Sequence, residues 1–260
     1  MKDLLAIEWL KIKKYRTFRI LAIMFLLLLP VWNWGIYSVV RSKPGASMFL
    51  STAYSFPEVW GNLGFWGGLF VLVLSILMII LVCNEYSFRT HRQNVIDGWT
   101  RLDFLHSKAA LVLIGGVLAT LYVLVVGLIM GFSIGGASGI GGGWEKLLFF
   151  FIYTINYLGF ATLIALWIRR SGLAIGLFFL YAFILENIFS SLINLKAQPV
   201  GNLLPLQASD ELLPLPIAKL FGNMIFTGPR FDSWIYALVS LLWIGVYYLA
   251  AKRLILKRDF

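Results

Sequence analysis

Six apolar runs, roughly Ile20 to Val40, Gly64 to Cys83, Lys108 to Phe132, Glu145 to Ile168, Gly172 to Ser191 and Ser233 to Ala251, limit this chain to very few folds. A helix needs about 20 apolar residues to cross the hydrocarbon core of a bilayer, and each run meets that length. Only helices and closed barrels satisfy their backbone in lipid, and the runs are far longer than the roughly ten-residue alternating strands of a barrel. The expected fold is therefore all-α: one polytopic bundle of six transmembrane helices spanning residues 1–260, with both termini on one side. Composition agrees, since 60% of the residues are hydrophobic and 13% charged, against about 45–50% and about 25% in soluble domains.

Lysine and arginine fall unevenly about these runs. Lys2, Lys11, Lys13, Lys14, Arg16, Arg19, Arg89, Arg92, Arg101, Lys108, Arg169, Arg170, Lys252, Arg253, Lys257 and Arg258 belong to the side of the termini. Arg41, Lys43, Lys146, Lys196, Lys219 and Arg230 belong to the other. The positive-inside bias then puts both termini in the cytoplasm and the chain in the cytoplasmic (inner) membrane. The same asymmetry accounts for the net charge of +10, so anionic headgroups are the expected partners of these charges and nucleic acid is not required.

Residues 1–19 lack the short apolar core and small-residue cleavage site of a signal peptide and are expected to stay on the mature protein. Leu5, Trp9 and Ile12 recur at helical spacing, with Lys11, Lys13 and Lys14 turned largely away. That pattern fits an amphipathic elbow helix lying in the headgroup plane. An ordinary basic flank of the first crossing is the other reading.

Several chemistries find no footing. Cys83 is the lone cysteine, so no intrachain disulfide forms, and His91 and His106 have no partner at metal-ligand spacing. The glycine cluster GFSIGGASGIGGG, residues 131–143, lacks the Lys-Ser or Lys-Thr and the strand-to-helix context of a phosphate-binding loop. It reads as a flexible external connection. With no Walker sequence elsewhere and no paired carboxylates or nucleophile-base set, the chain is expected to be no enzyme and to hold no metal or cofactor of its own.

The loop at residues 84–107, on the cytoplasmic side, is dense in polar groups where a bare turn would suffice, which suits docking. Residues 84–94 are expected to continue the second helix outward, with Glu85 pairing to Arg89 one turn on. Asp97-Gly98 marks a turn, and Thr100 with Asp103 resembles a capping box that starts the third crossing. Val95, Ile96 and Trp99 supply apolar knobs at the elbow, either for a partner or for the headgroups.

Glu85, Arg89-Thr90, Arg92-Gln93-Asn94, Ile96-Asp97-Gly98, Arg101, Phe104 and Lys108 together look like the loop between the second and third helices of permease subunits in type 2 ABC exporters. The six-crossing layout, the N-terminal elbow and the long apolar loop before the last helix are similar too. The resemblance implies a coupling helix that fits a groove on a separate cytoplasmic ATPase subunit, with ATP and Mg bound by that partner. It also implies a second permease, as homodimer or heterodimer, around a translocation path. Glu85, Arg89, Thr90, Gln93, Asp97, Gly98 and Arg101 would belong to the ATPase-facing region.

The loop at residues 192–232 is expected outside the membrane, yet it is apolar and interrupted by Pro199, Pro205, Pro214, Pro216 and Pro229. Pieces such as 203–206 and 217–226 read as segments dipping into the outer interface. By the resemblance they would be re-entrant and shape an exit gate; an ordinary packed cap is the alternative. Within the fifth run, Glu186 stands about 21 Å along the helix, in its outer half. A carboxylate there costs at least about 2.5 kcal/mol to insert, so it should face the bundle interior or water, with Asn187 and Asn156 as candidate partners lining a path or gate. The favoured expectation is an exporter permease for a hydrophobic or amphipathic substrate. An ion-coupled secondary transporter or a membrane scaffold using Glu186 is the alternative.

Overall fold

The computed structural model describes residues 2–13, 15–42, 53–90, 98–214 and 229–257. Eight helices organise them. A short α1 (Lys2–Lys13) precedes α2 (Arg16–Arg41), α3 (Glu58–Ser87), α4 (Arg101–Ile134) and α5 (Glu145–Ile168). Then come α6 (Ser171–Asn194), the four-residue α7 (Gln207–Asp210) and α8 (Ser233–Lys257). All but α1 and α7 are long and apolar enough to cross a membrane, so the chain is an all-α polytopic bundle.

Helix α5 is the axis. Over its most apolar stretch 78% of the residues are buried, against 17% in α2 and in α6. It packs against α3, α4 and α8, and its aromatic side chains Phe149, Phe150 and Tyr157 are buried at those seams. Lipid offers helices no hydrophobic drive to associate, so close backbone approach must supply contact. Gly127 of α4 provides one such approach: a Cβ there would stand 2.5 Å from the Trp60 ring of α3.

Pro30 lies inside α2 and has no N–H to give the Leu26 carbonyl. The Tyr122 hydroxyl of α4 donates to that carbonyl instead, which fastens α2 to α4 at the point where its own ladder fails. Helix α6 is irregular as well, with a π-helical turn at Leu180–Leu185 between two α-helical halves.

Three local expectations change. Helix α3 stops at Ser87, because Arg89 adopts a left-handed φ of 54° that no helix continues through. The glycine-rich connection after α4 is folded onto the start of α3: a Cβ on Gly139 would meet the Phe56 carbonyl oxygen at 2.5 Å, and Gly143 abuts Pro57 and Trp60. Both glycines take positive φ, of 82° and 76°, which is what lets the backbone turn this closely. In α1, whose side chains are described from Glu8 onward, Glu8 and Ile12 are buried while Trp9 is 57% exposed, so at this end the inward face pairs one member of the apolar stripe with an acid.

Candidate functional site

At the end of the bundle that carries the basic residues, the α3–α4 connection leaves and returns between well-fixed flanks. Thr100 caps α4 through its side chain, which accepts from Asp103 N at 3.1 Å, and Asp103 Oδ2 accepts from Thr100 N at 2.9 Å. Both halves of the expected capping box are present. Gly98, just before the cap, has a φ of 95° and turns the chain into it. Arg101 reaches across to α8 and donates to the Leu256 carbonyl at 3.2 Å. His106 Nε2 and the Tyr248 hydroxyl share a further α4–α8 hydrogen bond of 3.1 Å.

Glu85 does not run out along a continuing helix toward Arg89. It is buried and pairs with Lys108, itself fully enclosed. Lys108 also donates to Glu8 Oε1 at 2.8 Å, and the Ser107 hydroxyl donates to the same oxygen at 3.3 Å. Lys11 Nζ lies 3.6 Å from both Glu8 and Glu85, and 5.7 Å from the centre of the Trp99 ring. The half-buried Trp99 is therefore covered on one face by α1. Two acids and two bases of α1, α3 and α4 thus neutralise one another where water scarcely reaches. A cavity of about 130 Å³ beside them is lined by Glu8, Lys11, Tyr15, Asn84, Phe88 and Thr90 among others.

Of the sequence-derived docking residues, Arg89 is exposed and Thr90 half-buried at the mouth of that cavity. Gln93, Ile96 and Asp97, together with His91, Arg92 and Val95, lie outside the described residues. Sequence reasoning missed Glu8 and Lys11, and gave Lys108 no role beyond its place in a pattern. The available signal was Glu8 itself, an acid just ahead of the cations Lys11, Lys13, Lys14, Arg16 and Arg19.

The opposite end holds a second cluster. Glu186, 1% exposed, accepts from the backbone N–H of Leu206 at 2.6 Å and of Gln207 at 3.1 Å, both on Oε1. Asn156 Nδ2 of α5 donates to the Pro205 carbonyl at 3.0 Å, and Gln207 Nε2 donates to Asn187 Oδ1 at 2.8 Å. All three residues singled out inside apolar runs therefore converge on residues 205–207. They reach one another through that segment.

More bonds hold the same stretch. The Tyr157 hydroxyl donates to Asp210 Oδ1 at 2.7 Å, and Trp243 Nε1 of α8 donates to the Leu203 carbonyl at 3.0 Å. Leu206, Ala208, Ser209, Leu212 and Leu213 are buried. Burial pushes the Asp210 carboxyl up to about 7, with the Tyr157 hydrogen bond opposing that rise and the neighbouring Glu211 adding to it. Four buried polar atoms nearby on α5, α6 and α8, namely Asn156 Oδ1, Glu186 Oε2, Ser240 Oγ and the Tyr247 hydroxyl, have no hydrogen-bond partner among the described residues. The 217–226 segment lies outside the described residues. Among the described residues, no three His, Cys, Asp or Glu side chains gather so as to hold a metal ion.

The family described as "ABC-2 family transporter protein" matches residues 4–185. That span runs from α1 to the π-helical turn of α6, taking in the charged cluster, Arg89 to Arg101 and Asn156, and it ends one residue before Glu186. No curated protein matches the chain.

Proposed function

The chain belongs to the ABC-2 transporter family as a membrane permease, and from that premise we propose that it is the membrane subunit of an ATP-driven exporter. A separate ATPase, holding ATP and Mg, docks on the α3–α4 connection, and a second permease completes the path for a hydrophobic or amphipathic substrate moved outward. The chain itself performs no covalent chemistry. The basic end faces the cytoplasm in this reading, in accord with the positive-inside bias.

The observation that carries the proposal is the framing of the α3–α4 connection. Its return is capped at Thr100, tied to α8 through Arg101 and bonded to α1 and α3 through Lys108. A push delivered to such flanks moves the helices they belong to. Closure of two ATPase subunits on ATP then shifts the permease between access states, provided ATP favours one of them by differential affinity. Residues 200–213, held by Glu186, Asn156, Asn187 and Tyr157, act as the outer gate in this scheme. Glu186 serves as a latch on backbone amides, its Oε1 accepting from two N–H groups.

Purification of the chain from its native membrane in mild detergent tests the proposal. A P-loop ATPase should remain bound in stoichiometric amount, and substitution of Asp97, Gly98 and Arg101 should release it. Recovery of the chain without an ATPase, under conditions that preserve other such complexes, would overturn the exporter reading and favour ion-driven transport.

A further inference from the structure

Among the side chains described in α1, those of residues 8–13, Trp9 and Leu10 are 57% and 63% exposed, and Glu8 and Ile12 are buried. Tyr15, with an extended ψ of 114°, interrupts the helix between α1 and α2, so α2 does not dictate where α1 points. Charge gives α1 specific bonds to the bundle. Glu8 accepts from Lys108 and Ser107, Lys11 lies within 3.6 Å of Glu85, and the same ammonium covers Trp99. Every one of these partners flanks the α3–α4 connection: Glu85 on the last turns of α3, Trp99 just before α4, and Ser107 and Lys108 on its first turns.

The four side chains carry two positive and two negative charges, so the group is neutral as a whole. Burial makes it stiff. An apolar contact can shear by exchanging one neighbour for another, whereas parting Glu8 from Lys108 would leave opposite charges stranded where water does not reach. Charge-assisted bonds are also short and directional, which fixes orientation as well as distance. The flanks of the connection and α1 should therefore displace as one body.

We propose that Glu8, Lys11, Glu85 and Lys108 form a rigid joint that passes a displacement of the α3–α4 connection to α1, making the N-terminal helix a moving part of the coupling machinery. Glu8 is its positioning residue, acting through Lys108 and not by touching the ATPase. This rests on the reading of the connection as the ATPase-facing element.

Hydrogen–deuterium exchange on the full complex with its ATPase, with and without a non-hydrolysable ATP analogue, tests the joint without any variant. The nucleotide should change exchange in α1 together with residues 85–101. A change confined to 85–101, with α1 unaltered, would overturn the joint while leaving the exporter reading standing. No change in either would overturn the ATPase-facing reading and the joint with it. Glu8→Gln supplies the second arm, because the amide oxygen still accepts from Lys108 and Ser107 while the charge balance is lost. At unchanged melting temperature and unchanged ATPase binding, Glu8→Gln should abolish the nucleotide response of α1, keep that of 85–101, and lower transport per ATP hydrolysed. Persistence of the α1 response and of the wild-type transport ratio would refute the role given to Glu8.

Discussion

Glu186 gives one oxygen to two backbone amides, and this bears on what its replacement does. A side chain that removes the acceptor leaves the N–H groups of Leu206 and Gln207 buried without partners, at about 1–3 kcal/mol for each such group. Glu186→Ala should therefore loosen residues 200–213 and lower the melting temperature. Glu186→Gln keeps an acceptor oxygen in place and should stay close to the parent protein. Thermal unfolding in detergent, with hydrogen exchange over 200–213, checks the contrast; equal behaviour of the two variants would remove the latch. Asp210 adds a pH dependence to the same segment. Its pKa is raised from 3.8 to about 7, chiefly by burial, so the folded state favours the neutral acid. That contribution is complete below the unfolded value of about 3.9 and is lost as pH rises through about 7. Protection of 200–213 should accordingly weaken across that window, and Asp210→Asn should flatten the dependence. Tyr157, Glu186 and Glu211 are the neighbours to watch, since Tyr157 bonds the Asp210 carboxyl and Glu211, whose charge adds to the rise, also holds Arg230.

At the scale of elements, the transmembrane helices were legible because hydrophobic length alone specifies them; α5 has the same limits, Glu145 to Ile168, in sequence and structure. The start of α4 was legible too, since a capping box is a local code written within four residues. The end of α3 was not. Helical spacing invites Glu85 to pair with Arg89, but the carboxylate is claimed by Lys108, 23 positions away, and that competition has no local signature. The same reason hid the role of Glu8, whose partner is 100 positions distant. By contrast, Glu186, Asn156 and Asn187 could be picked out by rarity, as polar groups inside apolar runs, while the segment they hold could not. Arg89 gives this scale its prediction. A left-handed conformation costs a non-glycine residue about 1–2 kcal/mol, and Arg89 is an exposed residue holding it at a φ of 54°. Arg89→Gly should stabilise the isolated permease by about 1 kcal/mol. If the guanidinium meets the ATPase, the same variant should bind that partner less well, so melting temperature and co-purification should move in opposite directions.

For the whole molecule, the proposed pairing with a second permease calls for a surface to carry it. Exposure alone does not mark that surface, because the outside of a membrane bundle touches lipid; Leu118 of α4 is 62% exposed and needs no partner but an acyl chain. Polar groups discriminate better. Helix α6 presents Asn187 and Ser191 one turn apart on its exposed surface, and Asn187 bonds Gln207 of the 200–213 segment from there. Such groups are costly against lipid tails and are usually turned toward a bundle interior or a water-filled cavity. The same helix is among the least buried of the six and is broken by a π-helical turn, so the described residues leave this face largely uncovered. The second permease, or the path between the two, should therefore lie against the Asn187 face. Cysteine introduced as Asn187→Cys or Ser191→Cys should cross-link two permeases in native membranes, whereas Leu118→Cys should not, provided the native Cys83 is buried and silent as its position implies. A homodimer gives a band at twice the mass of this chain and a heterodimer a band that mass spectrometry assigns to a different permease. Cross-linking through Leu118 alone would place the partner on α4 and leave the polar face of α6 to the bilayer, which would contradict the gate drawn around Glu186 as well.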